Sequence, residues 1–203
     1  MIVTELYPVN SKKSGVRLDD GMTFILYKSE IRRFGIEEGM ELPPEDWQEI
    51  MHELLPKRCR ARAMHLLMRM DRTQEQLERK LKEGGYPQEV IEQAIDYVKQ
   101  FHYIDDSRYT DTYIRSRSSG KSIRQMKAEL KGKGVSDEVI AETLQQQEVN
   151  DSVAIRRLIE KKHIDTESIS REQLEKLYRY LLRRGFLYED VHRELKLYKI
   201  SDK

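Results

Sequence analysis

Apolar positions recur at spacings of three and four along most of this chain, which is the pattern of amphipathic helices. Three stretches share one arrangement of apolar residues when they are aligned on a glycine, and the first two have identical spacing. The equivalent positions are Leu77, Leu81, Gly85, Tyr86 and Val90, then Met126, Leu130, Gly134, Val135 and Val139. The third stretch is looser, with one extra residue before its valine: Leu177, Leu181, Gly185, Phe186 and Val191.

Each stretch is preceded by a pair of residues typical of a helix N-terminus. In such a capping box, each side chain pairs with a backbone N–H that the first helical turn leaves open. The pairs are Thr73 with Gln76, Ser122 with Gln125, and Ser170 with Gln173. Apolar positions before each pair and after each glycine predict a further helix on either side. The sequence therefore predicts three tandem three-helix repeats: repeat 1 at 57–104, repeat 2 at 105–149 and repeat 3 at 150–203.

This pattern predicts a mainly α protein in which the repeats, which resemble helix-turn-helix units, form an elongated and curved body. A three-helix unit of about 50 residues buries little surface alone, so neighbouring repeats are expected to pack end to end. The alternative is a single bundle in which the repeats fold back on one another.

The first 56 residues do not follow the repeated helical pattern. Residues 16–27 place Asp19-Asp20-Gly21 between two apolar runs, which predicts a small β-hairpin. Residues 37–53 contain seven acids and no lysine or arginine, and a helix is expected to start near Asp46, after Pro43-Pro44. This acidic stretch either shields basic repeats or is ordinary solvated surface, and the second interpretation is favoured.

Composition excludes several classes of protein. With 36% charged and 38% hydrophobic residues in 203, the chain suits thin helical layers better than one deep core. No apolar run approaches the roughly 20 residues that span a bilayer, and no secretory signal is seen, so a soluble, unexported protein is expected. The one cysteine, Cys59, and five scattered histidines predict no disulfide, no structural metal and no cofactor.

Positive charge is concentrated in repeat 2. Residues 115–133 carry seven cations and one acid, a net charge of +6, whereas the whole chain is only +1. The cations are Arg115, Arg117, Lys121, Arg124, Lys127, Lys131 and Lys133. On the helix predicted after Ser122, Arg124, Lys127 and Lys131 form a stripe beside the apolar one. The apolar face of this helix can therefore pack in a core while the adjacent basic face binds an anion.

Further candidate cations occur in the other two repeats. They are Lys57, Arg58, Arg60, Arg62, Arg69, Arg72, Arg79 and Lys80 in repeat 1, and Arg171, Arg179, Arg183 and Arg184 in repeat 3. Any one of them could be an ordinary solvated charge. The cluster in repeat 2 is the strongest candidate, because one-sided charge costs self-repulsion that mixed charge would avoid.

Residues that could suggest catalysis have simpler interpretations. Asp105 and Asp106 are paired carboxylates, but acids favour the start of a helix, where they stabilise its positive end. Tyr109 and Tyr113 could stack on bases, although packing in the core of repeat 2 is favoured. No nucleophile with a base and no glycine-rich phosphate loop occurs, so an enzyme is the least supported class.

Three motifs follow one another in and just before repeat 2: Tyr103-Ile104-Asp105-Asp106-Ser107-Arg108-Tyr109, Gly120-Lys121-Ser122 and Glu129-Leu130-Lys131-Gly132-Lys133-Gly134-Val135. In this order they resemble the signature of the bacterial RecX family, regulators of the RecA recombinase. The resemblance extends from about Arg58 to Leu144 and continues weakly through repeat 3. Arg72-Thr73 stands where the family often has Arg-Ser, and the hairpin region is outside the resemblance.

The resemblance implies a cytoplasmic, non-catalytic protein of three tandem three-helix repeats that binds the RecA filament on single-stranded DNA. It also implies inhibition of the ATPase, strand-exchange and co-protease activities of RecA, and so a role in DNA repair, recombination and the SOS response.

The residues alone leave three functional classes open. The first is a modulator that bridges successive subunits of a recombinase filament. The second is a stand-alone DNA-binding protein that uses helix-turn-helix-like repeats, and the third is a scaffold whose basic faces contact only an acidic protein. No dimer-forming element is evident, so a monomer is expected.

Overall fold

The computed structural model describes residues 1–162 and 169–197 in two compact units, Met1–Asp105 and Asp106–Lys203. The first unit holds the predicted hairpin region and repeat 1, and the second holds repeats 2 and 3. Parts of the predicted third repeat, residues 163–168 and 198–203, lie outside the described residues.

The chain begins with a three-stranded antiparallel sheet in the order β1-β2-β3. Its strands are β1 (Val3–Pro8), β2 (Lys13–Leu18) and β3 (Thr23–Tyr27). The predicted hairpin is confirmed as β2 and β3, and Gly21 has the positive φ of 85° that its turn requires. Strand β1 was not predicted, because its apolar residues do not form a clear alternation next to a turn signal.

The helices of the first unit follow the sheet directly. They are α1 (Lys28–Arg33), α2 (Pro44–Gln48), a π-helical segment (Glu49–Leu54), α3 (Leu55–Arg69), α4 (Gln74–Glu83) and α5 (Gln88–Gln100). The helical backbone is continuous from 44 to 69, so the helix expected near Asp46 runs on into repeat 1. The π-helical segment lies just before Pro56, whose ring would clash with a carbonyl of a regular preceding turn.

The sheet and repeat 1 share one hydrophobic core. The sheet contributes Phe24 and Leu26, and the helices contribute Leu55, Leu77 and Ile91, all of which are buried. The two parts also meet at Gly85, whose carbonyl accepts a hydrogen bond of 3.2 Å from the N–H of Ile25. A Cβ at Gly85 would lie 2.2 Å from the Ile25 side chain, so this position requires glycine both for contact and for its φ of 76°.

The helices of the second unit form repeats 2 and 3. They are α6 (Asp106–Arg117), α7 (Ile123–Lys131), α8 (Asp137–Gln146), α9 (Asp151–Glu160), α10 (Arg171–Arg183) and α11 (Tyr188–Leu195). Met126 and Leu130 lie in the core of repeat 2, and Leu177 and Leu181 occupy the equivalent positions in repeat 3. Tyr109 and Tyr113 pack against the core of repeat 2, as favoured from the sequence.

The predicted helix starts and stops are largely confirmed. Both reciprocal bonds of the capping box form at Thr73 and at Ser170. At Ser122 the hydroxyl accepts from the Gln125 N–H at 3.1 Å, but the Gln125 side chain turns to Glu129 instead of back to the cap. Gly134 has a φ of 85° and ends repeat 2's second helix as expected.

The fold is therefore mainly α, with three three-helix repeats and a small N-terminal sheet, as predicted. Most acids of the 37–53 stretch are exposed in the first unit, and Glu49 pairs with Arg33. No helix in the described part of the chain is long and apolar enough to cross a membrane.

Candidate anion-binding surface

Helix α7 presents two neighbouring cations to solvent. Met126 and Leu130 point into the core of repeat 2, which turns Arg124 and Lys127 outward, and both side chains are exposed. Among the described residues, neither has an ion-pair partner. Lys131, the third member of the predicted stripe, is different because its Nζ lies 2.8 Å from a carboxylate oxygen of Asp137. The part of the stripe that has no ion-pair partner in the described structure is therefore Arg124 with Lys127, although Lys131 is also exposed.

Lys121 is held inside repeat 2 by a local polar network. Its Nζ donates to Glu129 Oε1 at 2.6 Å, and Glu129 also accepts from the Tyr113 hydroxyl and from the Gln125 amide. The Lys121 hydrogen bond is the main reason that the pKa of Glu129 falls from 4.5 to about 2. The same bond raises the pKa of Lys121. This lysine joins α7 to the end of α6, and a binding role for it stays a prediction.

The remaining cations of repeat 2 lie at helix ends. Arg115, on the last turn of α6, donates to Asp111 at 2.9 Å in an exposed ion pair of little net stability. Arg117 is exposed and makes no ion pair within the described ranges. Lys133 is half-buried in the turn after α7.

A crevice lies beside Arg124 and Lys127, between repeats 2 and 3. Its volume is about 710 Å³, and its walls include apolar Ile123, Val149 and Leu187. Asp151, at the start of α9, is also in the lining and accepts a hydrogen bond of 2.8 Å from the backbone N–H of Ile123. Burial raises the pKa of the Asp151 carboxyl. The first turn of α7 is thus held partly by an acceptor from the next repeat.

Arg184 joins repeat 3 to the same end of α7. The Ser122 hydroxyl donates to the Arg184 carbonyl at 3.1 Å, and the Arg184 Nη1 donates to the Gly120 carbonyl at 3.4 Å. Its guanidinium also lies 4.8 Å from the centre of the Tyr180 ring. The side chain is nevertheless exposed, so it can contact a ligand as well as the neighbouring repeat.

Arg183 lies on the outer face of α10 and is exposed. Its Nε donates to the Arg179 carbonyl one turn earlier, at 3.3 Å, which leaves its terminal nitrogens directed to solvent.

The candidates of repeat 1 have mixed surroundings. Arg58 is half-buried, with its guanidinium 2.8 Å from Glu30 and 2.5 Å from the carbonyl of Ile25. These contacts fasten the sheet to α3, while a binding role for Arg58 stays a prediction. Arg62 and Arg69 are exposed on α3. Arg72 is half-buried, and its Nε has no hydrogen-bond partner among the described atoms.

The structure therefore brings Arg124 and Lys127 together beside a crevice and places Arg184 near the same helix end. The sequence patterns did not single out Asp151, nor the neighbouring rings of Tyr178 on α10 and of Tyr188 and His192 on α11. Asp151 gives no local signal because its partner is 28 residues away. Tyr188 and His192 could have been found from their spacing of one helical turn.

The exposed guanidinium of Arg124 and the ammonium of Lys127 can each donate to an anion. The crevice beside them is also lined by the acids Glu148, Asp151 and Asp190, so an anion is expected to bind on the outer face of α7 and not inside the crevice. Within residues 1–162 and 169–197, no cluster of three or more histidine, cysteine, aspartate or glutamate side chains is arranged to hold a metal ion. Cys59 is buried, and burial raises the pKa of its thiol to about 12, so little reactive thiolate forms.

Fold and surface together define a helical-repeat protein with cationic faces. Three family models match it in order: RecX first three-helix domain at residues 59–97, second at 105–144 and third at 151–195. The chain belongs to the RecX family.

Relatives match over nearly the whole chain. A "Regulatory protein RecX" of Caldanaerobacter subterraneus subsp. tengcongensis is 29% identical, over 97% of this chain and 100% of its own length. Another, of Clostridium perfringens strain SM101, is 27% identical over 91% of this chain and 89% of its own. This is a family of regulatory proteins and not one of enzymes.

Solved structures of the family have the same fold. A crystal structure of a regulatory protein RecX superimposes with a TM-score of 0.60 at 21% identity, covering 96% of this chain and 98% of that one. RecX from Lactobacillus salivarius gives a TM-score of 0.59 at 22% identity, covering 70% of this chain and 95% of that one.

Proposed function

We propose that this protein binds the RecA recombinase filament on single-stranded DNA and inhibits its ATPase, strand-exchange and co-protease activities. It acts as a monomer in the cytoplasm, in the control of DNA repair and recombination. Family membership supports a regulatory role with the recombinase as partner. The binding mode is supported by the cations that the fold leaves accessible.

The observation that carries this proposal is the exposed pair Arg124 and Lys127 on α7. Lys121 and Lys131 each pair with a carboxylate, whereas Arg124 and Lys127 are exposed and make no ion pair among the described residues. These two cations lie about one turn apart on a helix whose start is bonded to residues of two repeats. A recombinase filament presents phosphates and acidic side chains along its length. Cations that meet such a surface gain from counterion release and long-range attraction.

A double charge reversal tests the proposal. In Arg124→Glu with Lys127→Glu, inhibition of the recombinase ATPase should need at least about tenfold more protein, because two attractive contacts become repulsive. The measurement is a titration of ATPase activity on single-stranded DNA at fixed salt. Helix content should be unchanged, since both side chains are exposed.

The matched control is Lys12→Glu with Lys28→Glu, which reverses two exposed lysines of the N-terminal region and changes net charge equally. This control should inhibit as the wild type does. Equal potency of the α7 variant and the wild type would remove these cations from the mechanism. Equal loss in both variants would show that only overall charge matters.

A further inference from the structure

Repeat 3 carries a cluster of three rings on α10 and α11, of which Tyr188 and His192 are exposed and Tyr178 is half-buried. Tyr188 and His192 lie one turn apart with centroids separated by 5.7 Å and planes inclined by 9°. Tyr178 completes the cluster at 5.8 Å from Tyr188 and 6.3 Å from His192. Tyr188 is 60% exposed although it is a large aromatic residue. A tyrosine that only packed in the core of repeat 3 would not remain so accessible.

The cluster is held in a fixed orientation. The Tyr178 hydroxyl is hydrogen-bonded to His192 Nδ1 at 2.7 Å, which links α10 to α11 through their side chains. Leu177 and Val191 anchor the same two helices in the core beneath. Rings already in place lose little side-chain entropy when a planar ligand binds, so this cluster is prepared for stacking.

Two exposed arginines, Arg179 and Arg183, lie on the same helix as Tyr178. Leu182 lies one helical turn after Tyr178 and is therefore its neighbour on the helix surface. Leu182 also lines one shallow depression with Arg179 and Arg183, so it connects the ring cluster to the two arginines. Leu182 is 39% exposed. The Nε of Arg179 donates to the Glu175 carbonyl at 3.5 Å, and Arg183 does the same to the Arg179 carbonyl. Each guanidinium therefore lies along the helix, about one 5.4 Å turn from the other, with its terminal nitrogens outward.

Two of the nearby acids are neutralised by partners. Glu172 pairs with Lys176 at 2.7 Å, and Asp190 pairs with Arg193 at 3.1 Å. Glu175 is exposed on the same face and makes no ion pair in the described part of the chain. Glu189, which follows Tyr188 on α11, is also exposed and makes no ion pair among the described residues. An anionic ligand on this face therefore meets two guanidinium groups and two opposing carboxylates.

We propose that this face, formed by Tyr178, Tyr188, His192, Arg179 and Arg183, binds single-stranded nucleic acid directly, with a base stacked on Tyr188 and phosphates on the two arginines. Exposed rings beside cations are the combination that binds single strands without sequence preference, because every base has an aromatic face. The site deepens the proposed function, since it gives the protein its own contact with the DNA on which a recombinase assembles.

The test uses the full-length protein and no recombinase. Fluorescence anisotropy is measured with an oligothymidylate and with an abasic chain of the same length, which keeps the phosphates but has no bases. Tyr188→Ala should lower affinity for the oligothymidylate at least about fivefold and leave affinity for the abasic chain unchanged. Tyr188→Phe should retain wild-type affinity, because the ring remains.

Charge variants separate the phosphate contacts from stacking. Arg179→Glu with Arg183→Glu should weaken binding of both chains, and Glu175→Gln should strengthen both. Tyr103→Ala, which removes a 46% exposed tyrosine from the first unit, is the matched control and should bind both as the wild type does. Thermal melts confirm that each variant is folded.

The inference is overturned if Tyr188→Ala binds oligothymidylate as tightly as the wild type, or if it loses affinity for the abasic chain to the same extent. It is also overturned if Tyr188→Ala impairs only recombinase inhibition, because the rings would then contact protein. The two proposals can also be separated. If the variants bind oligonucleotides as predicted but the wild-type protein has no effect on recombinase ATPase activity, the nucleic-acid site is supported and the proposed inhibition of the recombinase is wrong.

Discussion

Positively charged residues that look alike in the sequence have different surroundings in the fold. Arg58 contacts Glu30 of α1, which lies 28 positions away, and also donates to the Ile25 carbonyl of β3, so its guanidinium joins both elements to α3. Arg124 has no such partner in the described structure and is exposed. A count of charges finds both as candidates, but only contacts between distant segments separate a structural cation from an accessible one.

Glu129 is the acid that neutralises Lys121, and its lowered pKa predicts a measurable dependence of stability on pH. Because the folded-state pKa of about 2 lies below the ordinary 4.5, the unfolded chain holds more protons between these values. The stabilisation from the carboxylate is therefore complete above about 4.5 and is lost as pH falls towards 2. In Glu129→Gln, the free energy of unfolding should depend less on pH across this window.

Urea titrations at a series of pH values measure this dependence. The matched control is Glu138→Gln, which removes an exposed carboxylate from α8 in the same repeat and should leave the wild-type dependence intact. Parallel curves for Glu129→Gln and the wild type would show that the Lys121 contact does not stabilise the fold.

Helix α7 depends on two acceptors at its first turn, one local and one from the next repeat. Ser122 accepts from Gln125, and the Asp151 carboxylate accepts from Ile123. Asp151→Ala should lower the free energy of unfolding by about 1 kcal/mol, since a cap is lost. Asp151→Asn should cost less or even stabilise, because an amide oxygen can still accept and no charge is buried. Chemical denaturation followed by circular dichroism compares the two variants. A greater loss in Asp151→Asn than in Asp151→Ala would mean that the charge itself is required.

Local signals explain which elements the sequence predicted correctly. Thr73 and Ser170 form complete capping boxes, and Gly85, Gly134 and Gly185 all have positive φ. These features are decided by residues within one or two turns, so short patterns contain the necessary information. Repetition of the same signals three times made the order of the helices predictable as well.

Elements decided by distant contacts were missed or incomplete. Strand β1 is defined by its pairing with β2. In the candidate site, too, contacts between distant residues could not be predicted from the sequence. The stripe of α7 was predicted from periodicity, but the pairing of Lys131 with Asp137 and the contact of Asp151 with α7 depend on how separate helices pack.

At the scale of the whole molecule, the two compact units have separate hydrophobic cores, and the boundary lies between Asp105 and Asp106. Repeat 1 shares its core with the N-terminal sheet, whereas repeats 2 and 3 are joined through Asp151, Ser122 and Arg184. Domains with their own cores can fold alone. Fragments 1–105 and 106–203 should therefore each melt cooperatively, whereas fragment 1–150 should lose helix in repeat 2, because α7 loses its contacts with repeat 3.

Circular dichroism melts of the three fragments test this division, and recombinase ATPase assays extend it to function. If the proposed filament contacts are spread over both units, fragments 1–105 and 106–203 should each inhibit less than the intact chain, even when mixed, because a covalent link raises the effective concentration of the second contact. The mixture serves as the matched control, since it contains every residue and lacks only the link. A mixture, or either fragment, as potent as the intact chain would show that one unit suffices and that the other serves a different purpose.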